Sequence, residues 1–207
     1  MKRCVIFCAG GFDRPARPIE NTDLVIAADG GLRHTQALGL TPHIVLGDFD
    51  SLGYIPAEGQ VFPVEKDDTD AMLAIKKGLA EGCDSFCLYG GLDGPRLDHT
   101  VANLQALLYL ADRGASGYLV GLSQIVCVLR NGKVTLPADF EGIFSLFCLG
   151  EDARGVTVRG AKYNLEQGTL TAGFPLGVSN HFMGKSVTVS VEAGTVLLMW
   201  ERKNGLL

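Results

Sequence analysis

Short apolar runs punctuate the first 120 residues of this chain, and each stops at glycine or at acid. Residues 4–9 run into Gly10-Gly11, residues 24–28 into Asp29-Gly30-Gly31, and residues 44–46 into Gly47-Asp48-Phe49-Asp50-Ser51. Residues 61–64 precede Glu65-Lys66-Asp67-Asp68-Thr69-Asp70, residues 85–89 precede Gly90-Gly91, and residues 117–120 precede Gly121. Uncharged runs this short read as strands buried on both faces. Helical patterns lie between them. One reaches about Leu38 before Gly39 and Pro42. A second carries Met72, Ile75 and Leu79 and ends at Gly82, with Asp68 or Thr69 as its N-cap. A third covers about 98–112, with Val101, Leu104, Leu108 and Ala111 on one face. Strands alternating with helices imply a mostly parallel α/β sheet, because parallel neighbours need a crossover.

After about Gly121 the pattern changes. No convincing helix follows. Residues 125–129 lead into Asn131-Gly132, a strong two-residue hairpin signal, and residues 134–136 return. Residues 143–149 and 156–158 read as strands. Ser186 to Val191 alternates strictly, with valines on one face, and a turn at 192–194 leads to residues 196–200. The expectation is a mostly parallel α/β domain over residues 1–122, then a smaller all-β sandwich over 123–207.

Composition narrows the function classes. The chain has 207 residues, 47% hydrophobic and 20% charged, with net charge −5. It can bury a core, and the absence of a basic run argues against nucleic acid as a partner. The six cysteines form no Cys-x-x-Cys pair and read as reduced core residues of a cytoplasmic protein. Lys2-Arg3 precedes an apolar run too short for a secretory segment, and no stretch is long enough to span a membrane.

The acids carry the chemistry. Parallel α/β sheets bind ligands outside the carboxyl ends of their strands. Asp29, Asp48, Asp50 and the Asp67-to-Asp70 cluster all fall there, among glycines whose bare amides can approach phosphates. In an extended segment Asp48 and Asp50 point the same way. Oxygen-only donors of this kind suit Mg²⁺, which is usually held by carboxylates together with substrate phosphates. Ser179 to Ser186 is a near-miss P-loop. It lacks the first glycine and opens a strand rather than a helix, so it is rejected. In the run from Gly90 to His99, Arg96 can pair with phosphate oxygens. Asp98 by default is an N-cap, Asn103 an exposed polar residue, and Tyr163 a core aromatic of the β-domain.

Asp29-Gly30-Gly31, Gly47 to Ser51, Asp68-Thr69-Asp70, Gly90 to His99 and Val178-Ser179-Asn180 occur in this order. Together they resemble the thiamine pyrophosphokinase family over nearly the whole chain. The resemblance implies an α/β catalytic domain and a β-sandwich thiamine-binding domain, in a homodimer with sites shared between chains. It also implies ATP as co-substrate, Mg²⁺, and direct pyrophosphoryl transfer. Asp29, Asp48, Asp50 and Asp70 match the metal and catalytic carboxylates. Thr69, Arg96, Asp98 and Asn103 match positions around ATP, and Tyr163, Ser179 and Asn180 match the thiamine pocket. Tyr163 stands where eukaryotic members carry tryptophan. A proton acceptor for the thiamine hydroxyl is open between Asp70 and Asp98. The alternatives are a Mg²⁺-dependent kinase or pyrophosphokinase of another hydroxylated heterocycle, or a non-catalytic binding module on the same fold.

Overall fold

The structure, a computed structural model, describes residues 2–207. The chain divides into two compact units between Leu122 and Ser123. In the first unit the strands are β1 (Arg3–Phe7), β2 (Leu24–Ala28), β3 (Ile44–Gly47), β4 (Gly59–Val61), β5 (Ser85–Tyr89) and β6 (Ser116–Val120). They run in the order β6-β5-β1-β2-β3-β4, and all five neighbouring pairs in that order are parallel. The helices are α1 (Leu32–Ala37), α2 (Asp70–Ala80) and α3 (Leu97–Ala111). Phe7, Ile26, Phe86 and Leu88 are fully enclosed, as strands covered on both faces require.

The chain steps outward from β1 to β4, then returns to the far side of β1 for β5. Sequence order therefore reverses between β1 and β5, the kind of switch point at whose carboxyl ends such sheets bind ligands. The glycine pairs make this junction. Cys8 N donates to Tyr89 O and Gly10 N to Gly90 O. A Cβ on Gly10 would lie 2.5 Å from the Gly90 carbonyl.

Three local expectations are corrected. β4 lies two residues earlier than expected, and Val61 and Val64 are exposed. It is an edge strand; the Phe62 amide still reaches Gly47 O, but Pro63 has no N–H to continue the ladder. The buried stripe of α3 is Asn103, Ala106, Leu107 and Leu110, not Val101, Leu104, Leu108 and Ala111. The helix is apolar nearly all round, so two stripes compete and packing chooses. On α2 the buried residues are Ala71, Ala74, Ile75 and Gly78. Gly78 lets the helix approach: a Cβ there would meet the Phe86 ring at 2.6 Å.

The second unit holds β7 (Gln124–Arg130), β8 (Lys133–Leu136), β9 (Ile143–Cys148), β10 (Ala153–Arg159), β11 (Leu165–Leu170), β12 (Gly177–His181), β13 (Val187–Ser190) and β14 (Thr195–Glu201). Within this unit β12-β9-β14-β7 form one antiparallel set and β11-β10-β13-β8 another. Two antiparallel layers match the expected sandwich class. Val187, Val189 and Val191 are buried, and Trp200 is enclosed with Phe140, Phe144 and Phe182 nearby.

Asn131-Gly132 does not close a hairpin. β7 pairs with β14 and β8 with β13, so the chain changes sheet at this turn and changes again between β13 and β14. Asn131 adopts φ +43°, and its Oδ1 accepts from Gly194 N at 2.9 Å. The two crossings are thereby tied together. β11 and β12 were not anticipated. Both are outer strands of their sets, carry register shifts, and lack a full apolar face. No helix among the described residues is long and apolar enough to cross a membrane.

Gly31 follows β2 inside a 3-10 turn, where a Cβ would sit 1.9 Å from the Phe7 carbonyl oxygen. Gly31→Ala should therefore destabilise the chain by about 3 kcal/mol, because backbone rather than a flexible side chain must move. A denaturant melt checks this; a loss under about 1 kcal/mol would contradict the close approach.

Candidate functional site

Asp29 begins the 3-10 turn after β2 with φ +47°, and it is 6% exposed. β3 ends at Gly47, where φ is +147° and a Cβ would meet Asp29 backbone and side chain at 3.1 Å. Asp48 and Asp50 follow, but not in the extended segment that the sequence suggested. Phe49 between them has φ +62° and is buried with Ala27, Leu32, Val45 and Leu52. A left-handed aromatic residue costs about 1–3 kcal/mol, and burying its ring offsets a similar amount. The turn drives the Phe49 ring inward while both flanking carboxylates stay at the rim. Asp29, Asp48 and Asp50 each present an oxygen within 4.8 Å of the others.

Asp70 opens α2 behind Thr69. Thr69 is the N-cap, its Oγ1 accepting from Met72 N at 3.2 Å. Sequence reasoning passed over Lys66, although it is the one cation in its acidic run. Its Nζ donates to Asp48 Oδ2 at 2.8 Å and lies 3.2 Å from Asp70 Oδ1, outside hydrogen-bond alignment for the latter. The Lys66, Asp48 and Asp70 side chains are only 14%, 12% and 21% exposed. Burial pushes the Asp48 carboxyl up, but the Lys66 ammonium and the Asp50 amide outweigh it and hold it below the usual range. At Asp70 burial prevails over Lys66, helped by Asp48 and Asp29, and the carboxyl is raised.

Asp29 Oδ1 is buried and has no hydrogen-bond partner among the described residues. A carboxylate oxygen so placed is costly unless a cation faces it. With two further carboxylate oxygens beside it, the donor set suits a hard divalent ion such as Mg²⁺.

The other candidates occupy distinct settings. Arg96 is the N-cap residue of α3 and pairs with Asp98 at 2.6 Å, both exposed. Asp98 lies within the first turn rather than at the cap. The Arg96 guanidinium draws its carboxyl below the usual range. Asn103 is buried, not exposed, and its Nδ2 donates to Gly91 O at 2.7 Å. Thr100 Oγ1 donates to Leu92 O. Helix α3 thus braces the glycine turn after β5.

In the second unit Tyr163 is 57% exposed, so it is not a core aromatic. Asn180 is buried beside it: its Oδ1 accepts from Tyr163 N and its Nδ2 donates to Tyr163 O. Asn180 therefore holds the tyrosine backbone. Ser179 stands in a bulge of β12 with φ +58° and is exposed. The sequence that looked like a P-loop turns at Gly184 and enters β13, away from any helix. The six cysteines are free. Burial pushes Cys8 and Cys127 up to about 12, which leaves them poor nucleophiles.

Residues 16–119 match the family "Thiamin pyrophosphokinase, catalytic domain". Residues 133–196 match "Thiamin pyrophosphokinase, vitamin B1 binding domain". The chain is 27% identical to a thiamine pyrophosphokinase of Bacillus subtilis over 85% of this chain and 86% of that one. It is similar in fold to a solved thiamine pyrophosphokinase of Bacillus subtilis: TM-score 0.84, 24% identity, 97% of this chain and 99% of the other. A solved thiamin pyrophosphokinase of Geobacillus thermodenitrificans aligns with TM-score 0.77 and 27% identity over 96% of each chain.

If a divalent ion faces Asp29, Mg²⁺ should raise the melting temperature, by the equivalent of about 2.7 kcal/mol at a hundred times its dissociation constant. Asp29→Asn should leave the metal-free protein at least as stable, since it removes a buried charge, and should abolish most of the Mg²⁺-dependent rise. Paired melts with and without Mg²⁺ decide. An undiminished rise in Asp29→Asn would exclude Asp29 as a ligand.

Proposed function

Because this chain belongs to the thiamine pyrophosphokinase family, we propose that it moves the pyrophosphoryl group of ATP onto the hydroxyl of thiamine, giving thiamine diphosphate and AMP. The observation that carries the reading is the orphaned Asp29 oxygen beside Asp48 and Asp50. An acidic protein that binds a polyphosphate must offset repulsion, and a cation at these carboxylates supplies the offset. Asp29, Asp48 and Asp50 would hold Mg²⁺, with Asp70 next to them. The ion, when bound, would neutralise charge on the phosphate oxygens.

The remaining steps fall to the chain's own residues. The glycine turns at the β1–β5 junction offer close backbone approach to phosphates, and Asn103 keeps the turn after β5 in place. Thr69 fixes the start of α2 and so the position of Asp70. Arg96 is the phosphate-binding cation, oriented by Asp98. Asp98 suits that orienting role better than accepting the hydroxyl proton, because Arg96 lowers its affinity for a proton. Tyr163 presents an exposed ring for the thiamine heterocycle, held by Asn180, with Ser179 nearby on β12. On this reading residues 1–122 bind ATP and Mg²⁺, residues 123–207 bind thiamine, and free cysteines suit a cytoplasmic enzyme.

We extend the reading to a homodimer whose sites are completed by both chains. Exposed Leu97 and Val101 in the first unit, and Phe174, Leu176 and Met183 in the second, are apolar surface of the kind that subunit contacts cover.

Incubation with ATP, Mg²⁺ and thiamine should yield AMP. ADP instead would mean transfer of a single phosphoryl group, and no product would favour a binding module. Asp50→Asn should lower kcat by about 10²–10³, the scale for losing one preorganised electrostatic contact, with folding intact. Near-normal turnover at saturating Mg²⁺ would remove Asp50 from the site.

Tyr163→Ala should raise the thiamine KM, by a stacking contact of about 1–3 kcal/mol, and leave the ATP KM nearly unchanged. Mixed with Asp50→Ala and assayed at low thiamine, it should regain activity as subunits exchange, with about a quarter of all sites intact. A mixture as inactive as its parents, despite verified exchange, would mean that each chain builds its own site.

A further inference from the structure

Phosphoryl-transfer sites that use two metals set a pair of cations about 3.5–4 Å apart and share carboxylate ligands between them. Here the carboxylates form two overlapping groups. Asp29, Asp48 and Asp50 converge on one point, and Asp48 and Asp70 flank another. Asp48 belongs to both. Each group has a buried oxygen without a hydrogen-bond partner among the described residues, Asp29 Oδ1 in the first and Asp70 Oδ1 in the second, and in the first no ion pair reaches Asp29 or Asp50 among those residues. The second already contains a cation, the Lys66 ammonium, 2.8 Å from Asp48 and 3.2 Å from Asp70.

The setting of Lys66 is unlike that of the other lysine ion pairs. Lys76 and Asp68 form a close pair at the surface, with the lysine side chain 44% exposed. Lys77 and Glu81 are similarly exposed. Lys66 is 14% exposed, lies four residues before Asp70 and precedes the helix. Its stem has left water to bring one charge between two carboxylates. Burying an ammonium is costly, so it persists where the carboxylates compensate it.

We propose that Lys66 is the second cation of the site: its ammonium occupies the position between Asp48 and Asp70, so the nucleotide-free protein takes up a single divalent ion, at Asp29, Asp48 and Asp50. This rests on the metal reading given above and deepens it. Lys66 is a positioning residue in this role. It holds Asp48, the shared carboxylate, in place for the ion, and it keeps a positive charge beside the phosphates that no chelator can remove.

The test counts metal ions in the nucleotide-free protein. Mn²⁺ binding, followed by electron paramagnetic resonance or calorimetry, should give about one ion per wild-type chain. Lys66→Ala frees the Asp48–Asp70 pair and should bind about two, whereas Lys66→Arg, which keeps the charge, should stay at one. Lys66→Met fills the stem's volume without charge, guards against a packing defect in the alanine variant, and should gain more melting temperature from Mn²⁺ than the wild type does. Two ions on the wild type would overturn the proposal, as would a single ion on both uncharged variants. No ion on the wild type would overturn the metal reading itself, and the proposal with it. None of these outcomes depends on which acceptor the enzyme phosphorylates.

Discussion

Three carboxylates held within 4.8 Å of one another repel, and the end of the parallel sheet is built to withstand that repulsion. Two unit charges 4 Å apart oppose each other by about 4 kcal/mol at an effective dielectric of 20. Lys66 and the Asp50 amide, both donating to Asp48, offset part of this. The rest of the resistance comes from Phe49, whose buried ring anchors the loop between them, and from Gly47, which lets β3 end against Asp29. The strain of a left-handed phenylalanine is comparable to the stabilisation from burying its ring, and the loop is further held by Leu52 and Gly53 amides donating to Phe49 O and by Arg33 donating to Ser51 O. Repulsion at the rim is balanced by apolar packing one layer below.

Charge balance follows the same layering. Lys66 meets Asp48 and Asp70 from the segment before α2, and Thr69 sets where that helix begins. Asp29 Oδ1 is left without a hydrogen-bond partner among the described residues, and no ion pair reaches Asp29 among them. The site is therefore asymmetric: one side is compensated by the chain and the other is open to a cation from solution.

Asparagines do comparable structural work at distant points. Asn103 holds the turn after β5, Asn180 holds the Tyr163 backbone, and Asn131 ties the two sheet crossings of the second unit. An amide side chain can donate and accept at once, so it can stand in for a missing strand neighbour. In the first two cases the amide fixes a stretch of backbone within its own unit.

The sequence by itself determined the class of both units. Uncharged runs ending at glycine and acid fit buried strands of a parallel sheet, all but the run at 61–64, which proved an exposed edge, and the alternating valines from 187 to 191 fit one face against a β core. It also placed Asp29, Asp48, Asp50 and Asp70 at strand and helix ends, because such positions follow from local order. What it left open needed long-range packing. The choice between the two apolar stripes of α3 depends on which face the sheet offers. The Asn131-Gly132 turn reads as a hairpin locally, and only the longer pairing of β7 with β14 makes it a corner. Lys66 looked like one more solvated charge in an acidic run, since its partner Asp48 lies 18 residues away. Tertiary structure alone decided these points, because each depends on a contact between segments that sequence spacing does not bring together.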